Sequence, residues 1–72
     1  MTAEAPHVLR LRQEQSELGI RLEKLGAFID VVAIFKQLEP AEQADLLLQR
    51  QLMQSYHDTL TRRLARLKLA LA

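Results

Sequence analysis

Cysteine is absent from this 72-residue sequence, so neither a disulfide nor a thiolate metal site can staple it. Histidine occurs only twice, at His7 and His57, which leaves too few imidazoles for a histidine-rich metal centre, and no metal or cofactor is expected. Two glycines and two prolines are too few for a turn-rich β fold, and aromatics make up only 4% of the chain. The longest uninterrupted apolar run, Val31-Val32-Ala33-Ile34-Phe35, falls far short of the roughly 20 residues that span a bilayer. The N-terminal residues lack the basic region plus apolar run of a secretory signal, so a soluble cytoplasmic protein is expected, with no membrane partner.

Charge of one sign is also missing overall. The formal net charge is +1, yet this near-neutrality hides a gradient. Residues 1–45 carry five basic and eight acidic side chains, a balance of −3, whereas residues 46–72 carry five basic and one acidic, a balance of +4. Such a chain suits antiparallel pairing, within one molecule or between two. Cations late in a helix also answer its dipole, without any further role.

What the sequence has in quantity is leucine, with alanine, glutamine, glutamate and arginine around it, a helix-forming composition. Leu46, Met53, Leu60 and Leu67 stand seven residues apart, and Leu64 and Leu71 continue the seam. Leu11, Leu18, Leu25 and Val32 form a matching stripe, interleaved by Val8, Leu22 and Ile29. Gln15 is the one polar break in that stripe, the kind of residue that sets register. Gly19 and Gly26, one heptad apart, are either close-approach points or merely tolerated. Pro6 suits a first helical turn, with Thr2 or Glu4 to help cap it after a frayed tail at 1–5. Glu39-Pro40 marks the clearest boundary, because proline disfavours helical geometry before it and favours it after.

These signals predict an all-α fold: one helical-hairpin domain over residues 1–72, with a helix at about 7–30, a short helix or turn at about 31–39 and a helix at about 40–69. The long helices should match in length, and the first is expected to bend or stop near Asp30. Around Phe28 the apolar residues cover every side of a helix, so this segment is expected to be a hydrophobic hub, buried or facing a second chain. A domain this small has a net stability of only about 3–5 kcal/mol, and self-association, with a dimer favoured, is the remaining staple. Phe28, Val31, Ile34, Phe35 and Leu38 carry more apolar surface than a lone hairpin covers and are the expected partner or self-association surface.

No constellation points to catalysis. Glu14/Glu17 and Glu42/Asp45 read as solvated charge, and His57 and Asp58 are sequence neighbours that point apart on a helix. No serine–histidine–acid set or phosphate loop exists, so an enzyme is not expected. His57 reads as a packed or interface histidine. Arg62, Arg63, Arg66 and Lys68 form a basic cluster, but without interleaved aromatics or a recognition motif nucleic acid is not favoured. A small anion or an acidic protein surface is the better match. Tyr56 and Arg63, one heptad apart, could stack on and neutralise a nucleotide; alternatively Tyr56 packs with Phe28 or Phe35 in the core.

The ordered series Leu22, Leu25, Phe28, Ile29, then Phe35, Leu38, Glu42-Gln43, Leu46-Leu47, Gln51, Met53, Tyr56, Leu60 and Arg63 resembles a group of small phage-encoded helical-hairpin proteins over about residues 14–66. It departs from them at Asp30-Val31-Val32-Ala33, where members often carry polar or proline residues, which argues against a clean helix break there and for extra interface. The resemblance implies binding without turnover in the cytoplasm of a host cell. One kind of member is an anti-activator that dimerises and inhibits host proteins, including a quorum-sensing transcription regulator and a pilus-assembly ATPase. The other is an anti-defence sponge that sequesters cyclic nucleotide signals. The first is the leading expectation, with Phe28, Val31, Ile34, Phe35 and Leu38 as anchors. The sponge, with Tyr56, Arg62, Arg63 and Arg66 as polar or anionic-ligand contacts, is the alternative. A structural coiled-coil assembly module is the third.

Overall fold

The computed structural model describes residues 5–71, with side chains to Leu67; the expected cap at Thr2 or Glu4 and the packing of Leu71 lie outside the described residues. Three helices follow in order, α1 (Pro6–Asp30), α2 (Val32–Phe35) and α3 (Pro40–Leu71). The two long ones pack antiparallel into a hairpin with extents of 52 × 17 × 15 Å. Among the described residues there is no strand.

Each boundary has a local cause. Pro6 stands at the first helical position of α1, where its missing N–H costs nothing, and the Ala5 carbonyl accepts from Val8 N–H at 2.9 Å. At the other end of α1, Val31 leaves helical geometry at φ −79°, ψ 80°, and its N–H donates to Phe28 O at 3.2 Å. The helix therefore does break cleanly at the β-branched pair Val31-Val32, against the expectation drawn from the apolar linker. The single turn of α2 follows, and the chain reverses over residues 36–39. Pro40 then opens α3, with the Glu39 carbonyl accepting from Gln43 N–H at 3.0 Å. The Gln43 side chain closes the reversal by donating to Leu38 O at 2.7 Å and, more weakly, to Lys36 O at 3.4 Å. The long helices are unequal, 25 residues against 32, because α2 and the reversal occupy the stretch opposite the first turns of α3.

The seam forms the core. Leu11, Leu18 and Leu60 are buried together, Leu60 completely, with Met53, Leu64 and Leu67 packed around them. Val8 and Ile29 are also buried. Two contacts fix how the helices meet. Gln15 Nε2 donates to Thr61 Oγ1 at 2.8 Å, and the Gly19 backbone lies against the His57 ring. Four residues forward on α1 is four residues back on α3, so the register is constant across that turn.

Of the two outcomes expected for the densest apolar stretch, burial or a face towards a second chain, burial within the hairpin is not what the fold provides. Phe28 is 38% exposed, Val31 46%, Val32 54% and Ile34 48%, with Phe35 and Leu38 half-buried. A segment apolar on every side needs neighbours on every side. Two helices and one extra turn supply them only for Ile29.

Candidate functional site

The open end of the hairpin, where α1 begins and α3 draws towards its end, carries a distinct charge. Residues 5–13 and 59–67 contain Arg10, Arg12, Arg62, Arg63 and Arg66 and no carboxylate. The first turn of α1 has no acidic residue and its N-cap makes no side-chain hydrogen bond, so the positive end of its dipole adds to the same field. The carboxylates Asp30, Glu39, Glu42 and Asp45 stand at the opposite, loop end.

A groove of about 380 Å³ opens at this basic end, lined by His7, Leu11, Arg63, Arg66 and Leu67. Its parts come from both helices. His7 and Leu11 are one turn apart on α1, and Leu11 turns its buried body into the core. Arg63, Arg66 and Leu67 share a face of α3 by their 3–4 spacing. The floor is thus apolar and the rim cationic. Two guanidiniums can grip a phosphate or carboxylate through paired N–H donors, and their planar faces can stack on a ring.

The basic residues singled out in the sequence divide here. Arg63 and Arg66 line the groove together. Arg62 points elsewhere, donating to Thr59 Oγ1 at 3.0 Å. Tyr56 is 45% exposed two turns away, outside both the groove and the core, so the alternative that packs it with Phe28 or Phe35 does not hold. Lys68 lies outside the residues whose side chains are described. His7, Leu11 and Leu67 were not recognised in the sequence as groove residues. The only signal was that an antiparallel hairpin must bring the start of one helix to the end of the other.

The second expected surface lies at the loop end. Phe28, Val31 and Ile34 are exposed there, while Phe35 and Leu38 are half covered. Among the described residues no group of three or more His, Asp or Glu side chains could hold a metal, and no helix is long and apolar enough to cross a membrane.

No curated protein and no solved structure gives a significant match to this chain. The family model described as Sequestin matches residues 5–66, which takes in α1, α2, the reversal and α3 through Arg66. The chain belongs to the Sequestin family.

Proposed function

We propose that this protein acts by stoichiometric sequestration, without turnover, and that its cargo is a small phosphate-bearing ligand of the cyclic nucleotide class. The observation that carries this reading is the groove, with Arg63 and Arg66 at its rim and Leu11 and Leu67 beneath, among residues 5–13 and 59–67, which include no carboxylate. Its volume is within the roughly 300–1,000 Å³ range of small-molecule sites. Phosphates would meet Arg63 and Arg66, and a base would lie on Leu67, above the buried Leu11. The family name, which denotes sequestration, supports a binding role of this kind. A fixed host molecule and the host cytoplasm, implied by the resemblance to phage hairpin proteins, belong to the same reading.

The test is a thermal-shift and calorimetric screen with cyclic di- and trinucleotides. A ligand present at a hundred times its Kd stabilises the native state by about 2.7 kcal/mol. In a domain of this size that raises Tm by about 10 °C or more. Stoichiometric recovery of unaltered nucleotide supports a sponge. No shift with any member of the panel rejects the nucleotide reading.

A second reading has its own observation. Phe28, Val31, Val32 and Ile34 expose a contiguous stretch of large apolar side chains at the loop end, the kind of patch that marks protein recognition. On this reading the sequestered partner is a host protein held by Phe28, Val31, Ile34, Phe35 and Leu38. Ile34→Glu would abolish its capture and leave any nucleotide shift intact.

A further inference from the structure

His7 is the groove residue that the sequestration reading leaves without a role. It is exposed on the first turn of α1 and lines the groove across from Arg63 and Arg66 of α3. The lining residues differ in what they offer a ligand. Leu11 and Leu67 offer apolar surface. The two guanidiniums offer N–H donors at a fixed charge, since arginine stays protonated throughout the physiological range. Of the residues that line the groove, His7 alone has a side chain that can accept a hydrogen bond, and it alone changes charge between about pH 5 and 8.

The charges around His7 decide what that change does. Among the described residues they are Arg63 and Arg66 on α3 and Arg10 one turn along α1, while residues 5–13 and 59–67 supply no carboxylate. Those stretches therefore give an imidazolium no counter-charge. A phosphate held in the groove gives it one. The other histidine, His57, lies against the Gly19 backbone at the seam, outside the groove.

We propose that His7 is a third ligand contact and that the groove takes up a proton together with its anion. This rests on the sequestration reading, in which phosphates meet Arg63 and Arg66. A phosphodiester keeps its single negative charge through this pH range, so the ligand's charge is constant and the proton, drawn from water, goes to the imidazole. The imidazolium N–H then donates a charge-assisted bond to a phosphate oxygen, shorter and stronger than the neutral ring would make. Affinity therefore rises as pH falls, and release is favoured as pH rises. The difference between a charged and a neutral hydrogen bond corresponds to roughly five- to tenfold in affinity.

The test is calorimetry on the full chain, at constant ionic strength, with the cyclic di- or trinucleotide that gives the largest thermal shift. Kd should be roughly five- to tenfold lower at about pH 5.5 than at about pH 8. Heats taken near neutrality in two buffers of different ionisation enthalpy should differ, which reports proton uptake. His7→Gln keeps a polar side chain that cannot titrate, so its Kd should stay near the wild-type value for about pH 8 at both pH values. His7→Lys carries a fixed charge and should hold the tighter value at both. His57→Gln should keep the wild-type dependence. His7 is exposed, so its variants should remain folded. A wild-type Kd that does not move with pH overturns the proposal and leaves the sequestration reading standing. So does a dependence that survives in His7→Gln or disappears in His57→Gln. Absence of binding by every nucleotide at both pH values overturns the two together.

Discussion

Gln15 and Thr61 join the two long helices by a 2.8 Å hydrogen bond from the amide Nε2 to the hydroxyl oxygen, and the same hydroxyl donates to His57 O at 2.9 Å. The hydroxyl is thus both acceptor and donor, and the amide crosses the seam where leucine would otherwise continue the stripe. A polar residue at such a position typically fixes register at some cost in stability. Gln15→Leu should therefore raise Tm and at the same time broaden the mass distribution in light scattering. A lower Tm with an unchanged mass would show that the bond is a plain stabilising contact.

The two glycines of α1 should respond differently to alanine. A Cβ at Gly26 would meet nothing within 4 Å, whereas one at Gly19 would stand 3.3 Å from His57 Nε2. Alanine relieves a helix-propensity cost of up to about 1 kcal/mol in each case. Gly26→Ala should gain most of that in chemical denaturation. Gly19→Ala should gain less, because the His57 ring must shift by a few tenths of an ångström. In a His57→Ala background the two gains should converge, and a difference that persists there would locate the penalty elsewhere.

Leu60 is completely buried between Leu11 and Leu18. Truncating a buried leucine to alanine costs about 2–5 kcal/mol, as much as the whole net stability of a domain this small. Leu60→Ala should abolish cooperative unfolding at room temperature. Leu9, 54% exposed on α1, is the contrast: Leu9→Ala should change stability by less than about 0.5 kcal/mol. Urea titration followed at 222 nm separates the two.

The all-α hairpin was legible in the sequence because its signals are local and repeated. Heptad leucines mark two helices, and Glu39-Pro40 marks where the second begins. Pairing the stripes then needs no further information. The weighting along the seam was not legible. Leu11, Leu18 and Leu60 are buried while Val32, in the same heptad series, is 54% exposed, since the break at Val31 takes it off the α1 surface. Hydrophobicity marked Phe28–Leu38 as a stretch that is buried or faces a second chain; it could not choose between them, because burial depends on neighbours and a one-turn α2 has few. Arg63 and Arg66 were legible as cations. Their grouping with His7, Leu11 and Leu67 depends on register, which Gln15–Thr61 and Gly19–His57 set across the hairpin. The Gln43 bonds to Leu38 and Lys36 carbonyls needed the path of residues 36–39, which no periodicity encodes.

The groove makes the sharpest demand on the sequestration reading. A hydrogen bond between a charged donor and a ligand contributes about 1.5–3 kcal/mol. Arg66→Gln should therefore weaken nucleotide binding by roughly ten- to a hundredfold, and Arg63→Gln by a similar factor. Both arginines are exposed, so the folded state itself should be little changed. Because the rim is open to solvent, wild-type affinity should fall as ionic strength rises, and the fall should be shallower in either variant, which has one fewer charge to screen. Arg21→Gln, on α1 outside the groove, should change neither affinity nor its salt dependence. Calorimetry of all three variants at two salt concentrations measures both quantities. Equal losses from Arg21 and Arg66 would reduce the effect to net charge and remove the groove as the site.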